Sequence, residues 1–183
     1  MATSAPASTP ETPHQIQRLT AVSETELQQL ADVLIDCVAG GASVSFMQPM
    51  AREKALTFWR GVAAGVAAGT RLLFVARDDA GIAGTVQIVF DLPENQPHRA
   101  DVAKMLVHRR ARRRGLAEAL MRAAESAAHQ IGKTLLVLDT ADPTAARLYA
   151  RLGWTELGTI PGYALWPQGG LCGATFYYRD LSA

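Results

Sequence analysis

The segment from Val102 to Met121, VAKMLVHRRARRRGLAEALM, constrains the fold of this chain most tightly. A short apolar run gives way to an arginine-rich loop, and after Gly115 the apolar residues recur with the spacing of an amphipathic helix. Backbone N–H groups at a helix N-terminus have no acceptor within the helix and lie at the positive end of its dipole, so they bind phosphate groups readily. Small residues at Gly115 and Ala117 let the backbone approach such a ligand closely. The segment therefore predicts a strand, a diphosphate-binding turn and a helix in succession.

A second strand follows this helix. Residues 134–139, TLLVLD, form a short apolar run between Gly132 and the pair Asp142-Pro143, as expected of a buried strand. Asp142 is the predicted N-cap of a further helix, and Pro143 suits its first turn. Two strands joined through a helix run parallel with a right-handed crossover. The diphosphate turn is thus expected at the C-terminal edge of its strand, where α/β units bind ligands.

Periodicity and turn residues predict the other elements. Ser23 and Glu26 match a capping box at the start of a helix that Gly40 ends. An Asp-Asp-Ala-Gly turn at 78–81 predicts a β-hairpin. The remaining predictions are a strand at 14–20, a helix at about 49–68, the hairpin strands at 71–77 and 82–91, a strand at 98–107, and two strand-like segments joined by a Gly/Pro loop after residue 153.

Composition limits the class of protein. The chain has 183 residues, 49% of them hydrophobic, which suits one domain. We expect that domain to span residues 14–183, after a disordered leader, residues 1–13, that is rich in Ser, Thr, Pro and Ala. The net charge is only +1, so the arginines at 109–114 are a local feature, and we expect no nucleic-acid partner.

The sequence also lacks the features of metal, disulfide and membrane proteins. Cys37 and Cys172 lie far apart and are expected to be free thiols, with no metal site. The most apolar region, residues 61–76, is interrupted by Arg71 and is too short to span a bilayer. Residues 1–13 have no basic start and no apolar core, unlike a signal peptide. We therefore expect a cytoplasmic protein without a membrane partner.

Two motifs together resemble the GNAT family of N-acetyltransferases. In the diphosphate turn, Arg112, Gly115 and Ala117 match the family pattern Arg/Gln-x-x-Gly-x-Gly/Ala. Further along, the family pattern is Asn-x-x-Ala-x-x-Leu-Tyr followed by Gly-Phe. This chain matches it with Asp142, Ala145, Leu148, Tyr149 and the pair Gly153-Trp154. Two motifs in the right order and at the right separation are far more specific than either alone.

The resemblance implies a mixed α+β fold in which about four helices flank a central, mostly antiparallel sheet with one parallel strand pair. It implies acetyl-CoA as co-substrate and no metal. The residues that it assigns to acetyl-CoA are Met105, Leu106 and Val107, whose backbone pairs with the pantetheine arm, then Arg112, Arg113, Arg114, Gly115, Leu116 and Ala117 around the diphosphate, with Asp142 and Tyr149.

Two positions depart from the family pattern. Asp142 replaces the usual Asn, whose side chain makes one hydrogen bond to the pantetheine arm in the family. Whether Asp142 makes this bond stays open. Arg113 stands where the family usually has Gly, a change that matters little as long as φ at this residue is not positive.

Acetyl transfer to an amine needs a neutral amine, a polarised carbonyl and a proton for the departing thiolate. The resemblance assigns Tyr149 as the general acid for the sulfur, and the alternative is a core tyrosine that only packs. We expect Asp139, at the end of its strand, to accept the amine proton directly or through water. A carboxylate that merely holds a loop is an equal alternative for Asp139.

A closer resemblance concerns the acceptor. The segments LDT at 138–140, IPGYALWPQGGL at 160–171 and ATFYYRDL at 174–181 look like the tabtoxin-resistance type of acetyltransferase, whose members acetylate the amine of a small amino-acid-like antibiotic. This implies antibiotic resistance and direct attack in a ternary complex. Tyr163 and Trp166 are candidate acceptor-pocket residues, and acidic Asp91 or Glu94 would attract a cationic amine.

Two alternative functions stay open at this point. One is a protein or peptide acetyltransferase with the same fold. The other is a non-catalytic nucleic-acid or interaction module, which the absence of aromatic residues among the loop arginines disfavours. A monomer and a homodimer are both compatible with the sequence.

Overall fold

The computed structural model describes residues 15–182, so the predicted leader, residues 1–13, lies outside the described residues. The helices in this range are α1 (Glu24–Ala39), α2 (Arg52–Ala67), α3 (Leu116–Gln130) and α4 (Pro143–Arg151). The strands are β1 (Gln15–Leu19), β2 (Arg71–Asp78), β3 (Gly81–Val89), β4 (Arg99–Val107), β5 (Leu135–Thr140), β6 (Thr155–Leu165) and β7 (Leu171–Asp180). Every element expected from the sequence is present, with ends shifted by a few residues.

Local side-chain chemistry explains where the helices begin. The Ser23 hydroxyl accepts the N–H of Glu26, and the Glu26 carboxylate accepts the N–H of Ser23, which confirms the capping box of α1. Asp142 caps α4 by accepting the N–H of Thr144 at 2.7 Å, and Pro143 occupies the first turn. None of the helices in residues 15–182 is both long and apolar enough to cross a membrane.

The strands form one seven-stranded sheet in the order β1-β2-β3-β4-β5-β7-β6. Within the described range, β4 and β5 are the parallel pair and the other neighbours are antiparallel. Helices α1 and α2 cover one face of the sheet with an apolar core, and α3 covers the other. The mixed α+β fold expected from the resemblance is confirmed.

Strand β4 has two irregularities, one on each edge, that shape the candidate site. The parallel pairing with β5 joins only residues 99–101 to residues 135–137, and the strands separate beyond that point. On its other side β4 bulges, because Lys104 and Met105 together lie opposite the single residue Val86 of β3. Lys104 accommodates the bulge with a φ of 50°, a value that few residues other than Gly adopt. The C-terminal half of β4 therefore has an unpaired edge that faces β5.

Candidate active site

The diphosphate turn has the backbone geometry of an anion site. A short 3-10 helix, Arg109–Ala111, leads into the turn, and α3 begins after Gly115, whose φ is 78°. No backbone N–H from Arg113 to Glu118 donates to an acceptor in residues 15–182. A Cβ added at Gly115 would meet no atom within 4 Å, so the space in front of these donors is open. The turn thus presents a run of N–H groups to an open cradle at the positive end of α3.

Arg113 does not meet the condition under which its replacement of Gly would matter little. The replacement of Gly by Arg was expected to matter little provided that φ is not positive here, but φ is 63°, in the left-handed region that Gly adopts freely. An L-residue in that conformation costs about 1–2 kcal/mol, because its Cβ approaches a carbonyl oxygen. The departure from the usual Gly therefore has a structural cost that the sequence pattern did not reveal.

The arginines of the loop divide into two groups. Arg109 donates to Asp36 of α1 from its backbone N–H and from Nε, at 2.8 Å each. Arg110 donates to Asp78 at the end of β2 at 3.1 Å and to the carbonyl oxygen of Ile82 at 2.9 Å. Both therefore anchor the loop to the rest of the fold.

The other group faces solvent. Arg113 and Arg114 form no hydrogen bond and no ion pair with any residue between 15 and 182. Their charges are available to attract an anion, while the turn amides would hold it. Arg112 belongs to neither group fully, because its Nε donates to the carbonyl oxygen of Val107 at 3.2 Å and closes the turn.

The edge of β4 presents backbone groups to the gap beside β5. His108 donates its N–H to Ala83 of β3 at 2.8 Å. Because backbone groups alternate along a strand, the N–H groups of Val107 and Met105 point away from β3, into the gap. The side chain of Leu106 is buried against α1 and α2, and those of Met105 and Val107 pack on the side of α3. These three residues contribute backbone to the gap and side chains to the core.

Tyr149 lies on α4, the helix that follows β5. Its ring contacts Trp154 and Tyr177, with centroid distances of 5.9 and 5.7 Å, and the side chain is 4% exposed. The hydroxyl has no hydrogen-bond partner among residues 15–182, whereas that of Tyr177 donates to Glu156 at 2.9 Å. Burial raises the pKa of Tyr149, and the carboxylates of Asp142 and Asp139 raise it further. The phenol is therefore protonated at neutral pH with its donor unused.

Asp139 is the penultimate residue of β5 and lies on the sheet face opposite Leu138 and Tyr149, which share a core cluster. It pairs with Phe176 of β7, and its carboxylate forms no ion pair within 4.0 Å in the described part of the chain. Desolvation raises the pKa of Asp139, Lys104 opposes that rise, and Asp101 adds to it. The raised pKa brings this carboxylate closer to the range in which a general base works at neutral pH.

The predicted acceptor residues do not all come together. Tyr163 packs edge-on against Phe176 at 5.3 Å and so lies near Asp139. Trp166 is in the tight turn between β6 and β7, where its N–H donates to Gly170. Asp91 follows β3, which is antiparallel to β4, so it lies at the end of the sheet opposite the diphosphate turn. The structure therefore separates Asp91, and Glu94 in the same loop, from the other candidates.

Lys104 and the loop between α1 and α2 were not among the residues predicted for the site. The Nζ of Lys104 donates to Ser45 at 3.2 Å and lies 5.6 Å from the ring centroid of Phe58. The loop also reaches β6–β7, since Gln48 donates its N–H to Pro167 at 2.9 Å. A lysine inside the apolar run VAKMLV was the one available sign in the sequence.

A family model and a named relative match the chain over much of its length. A family model described as the acetyltransferase (GNAT) domain matches residues 69–156. The chain is 34% identical over 126 residues to a protein of Azospirillum brasilense named as an uncharacterized N-acetyltransferase in the hisH-hisA intergenic region. The match covers 68% of this chain and 73% of that relative.

Solved structures share the fold. An N-acetyltransferase from Staphylococcus aureus Mu50 superposes with a TM-score of 0.77 at 15% identity, covering 93% of this chain and 100% of the other. A GNAT superfamily phosphinothricin acetyltransferase from Sinorhizobium meliloti, solved in complex with AcCoA, gives 0.76 at 16% identity, covering 92% and 88%. A ribosomal-protein-alanine N-acetyltransferase from Brucella melitensis gives 0.76 at 18% identity, covering 91% and 99%. The chain therefore belongs to the GNAT family of N-acetyltransferases and is an acyltransferase.

Proposed function

We propose that this enzyme transfers the acetyl group of acetyl-CoA to the primary amine of a small amino-acid-like molecule, by direct attack within a ternary complex. The observation that carries the proposal is the continuity of two unpaired backbone surfaces, the edge of β4 beyond residue 101 and the N–H groups of residues 113–118. An extended amide-containing arm ending in a diphosphate matches both.

The residues present fit acetyl-CoA. The N–H groups of Val107 and Met105 are positioned to bind the pantetheine amides as a strand partner would, and the open cradle at Gly115 leaves room for the diphosphate. Leu116 and Ala117 contribute N–H groups at the start of α3, and Arg113 and Arg114 add positive charge. When bound, acetyl-CoA supplies an acetyl group activated as a thioester.

The side chain of Asp142 offers the pantetheine arm less than that of an Asn would. The carboxylate already accepts the N–H of Thr144 and has no hydrogen to donate, unlike the amide of an Asn. One contact to the pantetheine arm that an Asn would make is therefore absent from the proposed site.

Asp139 is the proposed proton acceptor for the amine, directly or through one water. Because its own acid group lies next to the amine, a free amino acid has an amine pKa above the value of about 7.7–8.0 for a peptide α-amine, so the acceptor arrives mostly protonated and Asp139 must take up its proton. The carboxylate also attracts the protonated amine into the site electrostatically. Both roles use an Asp139 side chain without a partner among residues 15–182.

Tyr149 is proposed to donate its unused hydroxyl hydrogen to the departing sulfur. A thiol has a pKa of about 8.5 and the pKa of this phenol lies above its usual value near 10, so complete proton transfer to the thiolate would be uphill. Tyr149 therefore stabilises the developing thiolate with a hydrogen bond inside a buried site. The proton that the amine loses leaves through Asp139 or water.

The acceptor side favours a small molecule over a peptide. Gln48 and Ser43 of the α1–α2 loop bond to Pro167 and Leu165 near the β6–β7 turn, which closes this side of the cleft. Among the solved structures of this fold, one is named for phosphinothricin and another for a ribosomal-protein alanine. The resemblance to the tabtoxin-resistance type supports a small amino-acid-like antibiotic as acceptor, and a peptide is the second candidate.

Thiol release tests the proposal. The enzyme is incubated with acetyl-CoA and either amino-acid-like amines or peptides with a free N-terminus, and the acetylated product is identified by mass spectrometry. We expect turnover with small amines. Turnover confined to peptides would contradict the acceptor class, and acetyl-CoA binding without acetylation of any amine would contradict the proposed reaction.

A further inference from the structure

Lys104 is a cation without a matching anion in the cleft. It lies at the β4 bulge with a φ of 50°, and its side chain extends toward the α1–α2 loop. The Nζ contacts the Ser45 hydroxyl at 3.2 Å and the rings of Phe46 and Phe58 at 6.0 and 5.6 Å. No carboxylate of residues 15–182 lies within 4.0 Å of it.

The surroundings of Lys104 stabilise its ammonium charge only in part. The hydroxyl and the two rings stabilise an ammonium partially, through one hydrogen bond and through cation–π attraction. Burial nevertheless lowers the pKa of Lys104, and the charge of Asp139 counteracts this from beyond ion-pair distance. A half-buried ammonium in such a place gains most from an incoming anion, because the partner replaces lost hydration.

Lys104 and Asp139 place opposite charges on the same side of the sheet. Lys104 contacts Phe58 of α2, and Asp139 lies on the face opposite Leu138, whose side chain is in the core on the α3 side, so both face α1 and α2. No ion pair within 4.0 Å joins them, and each influences the pKa of the other. A small molecule that carries both charges would complement the two side chains. The α1–α2 loop, which supplies Ser45 and Phe46, lies against Lys104.

We propose that Lys104 determines acceptor specificity by pairing with an anionic group of the acceptor, a carboxylate or a similar oxyanion, while Asp139 faces the amine. The substrate class is thus an amine that carries its own anion, as a free α-amino acid does. This inference rests on the proposed function, since it assigns the acceptor side of the same site. It predicts that blocking the acceptor's anion weakens catalysis as much as removing the lysine does.

The test compares acids with their carboxamides. Thiol release from acetyl-CoA is measured for the twenty common L-amino acids and for the matching amino-acid carboxamides. Wild-type enzyme is compared with Lys104→Met, which keeps the length and apolar stem of the side chain. Loss of a charge-assisted hydrogen bond should raise KM for the acids on the order of 10- to 100-fold and leave KM for the carboxamides nearly unchanged.

Lys54→Met is the matched control, because Lys54 lies 5.8 Å from the ring centroid of the same Phe46 but is exposed. It should behave as wild type. Should Lys104→Met fail to fold by circular dichroism, Ser45→Ala replaces it, with a smaller rise in KM for the acids.

The possible failures are distinguishable. Equal use of acids and carboxamides by the wild type, or an unchanged preference in Lys104→Met, would overturn the role of Lys104 while leaving acetyl transfer intact. Absence of thiol release with every amine would instead contradict the proposed function, and this inference with it.

Discussion

Arg109 donates two hydrogen bonds to Asp36, one from its backbone N–H and one from Nε, each 2.8 Å long. This contact joins the last turns of α1 to the entrance of the diphosphate turn, across 73 positions of sequence. Burial pushes the pKa of Asp36 upward, but the donors of Arg109 more than offset this effect, so the pKa lies below its ordinary value. The cradle is therefore held in shape by a residue far from the family motif.

Asp36→Asn should loosen the turn. We expect KM for acetyl-CoA to rise severalfold and the free energy of unfolding to fall by about 1–3 kcal/mol, because hydrogen bonds to a charged acceptor are lost. Asp32→Asn is the control, since its partner Arg52 is half exposed and such surface pairs contribute little. Equal KM values for the two variants would show that Asp36 has no role in shaping the cradle.

The same contact has a defined pH dependence. The pKa of Asp36 is depressed in the folded protein, so its contribution to stability is complete above the unfolded value near 3.9 and is lost as pH falls through the folded value. Chemical denaturation at several pH values should therefore show the stability difference between wild type and Asp36→Asn at pH 7. The difference should vanish in strongly acidic solution, and a constant difference would exclude this origin.

Asp139 should govern the acidic limb of the pH–rate profile. Burial raises its pKa, so activity should rise with pH through a value above the usual 3.9 for Asp. Asp101 also raises this pKa, and Asp101→Asn should therefore move the limb to lower pH without abolishing activity. Asp139→Asn should remove the limb and lower kcat, and an unaltered profile would assign Asp139 a structural role.

Tyr149→Phe removes the hydroxyl that is proposed to stabilise the thiolate. We expect kcat to fall on the order of 100-fold with little change in KM, because the interaction forms only as the sulfur departs. Tyr177→Phe is the matched control: its ring packs in the same cluster, but its hydroxyl is bonded to Glu156. Similar kcat values for wild type and Tyr149→Phe would leave Tyr149 a purely packing role.

Arg113 offers a test of backbone strain. Its φ of 63° suits Gly, so Arg113→Gly should unfold at the same temperature as wild type or higher, by relieving about 1 kcal/mol of strain. Arg114 has no positive φ, and Arg114→Gly should unfold at a lower temperature, because Gly loses more conformational entropy on folding. Each variant removes one charge, so both should bind acetyl-CoA somewhat more weakly at low salt.

Local chemistry explains which features the sequence could predict. The capping box at Ser23, the N-cap Asp142 and the turn at 78–81 depend on residues a few positions apart, and each marks an element that the structure contains. The parallel pairing of β4 with β5 followed from the right-handed crossover through α3. The family motifs then located the diphosphate turn and Tyr149 within this framework.

Features that depend on sheet register and distant contacts were not predictable in the same way. The bulge that places Lys104 in the cleft arises from a mismatch between β3 and β4 that no local pattern encodes. The contact between Asp36 and Arg109 joins residues far apart in sequence. Asp91 was assigned to the acceptor site because it is acidic, although the antiparallel direction of β3 and β4 places it at the other end.

The proposed acetyl-CoA site depends on the main chain of the turn at Gly115 binding the diphosphate, and a titration of two matched variants checks this. Gly115 and Gly132 both have positive φ, 78° and 79°, and a Cβ at either position would meet no atom within 4 Å. Gly115→Trp and Gly132→Trp therefore impose a similar strain, but only the first fills the cradle, because Gly132 follows the opposite end of α3.

Calorimetric titration with acetyl-CoA should show a loss of affinity of at least about tenfold for Gly115→Trp, because the turn amides can no longer reach the diphosphate. Gly132→Trp should bind as wild type does. Equal affinities for the two variants would contradict main-chain binding of the diphosphate at this turn.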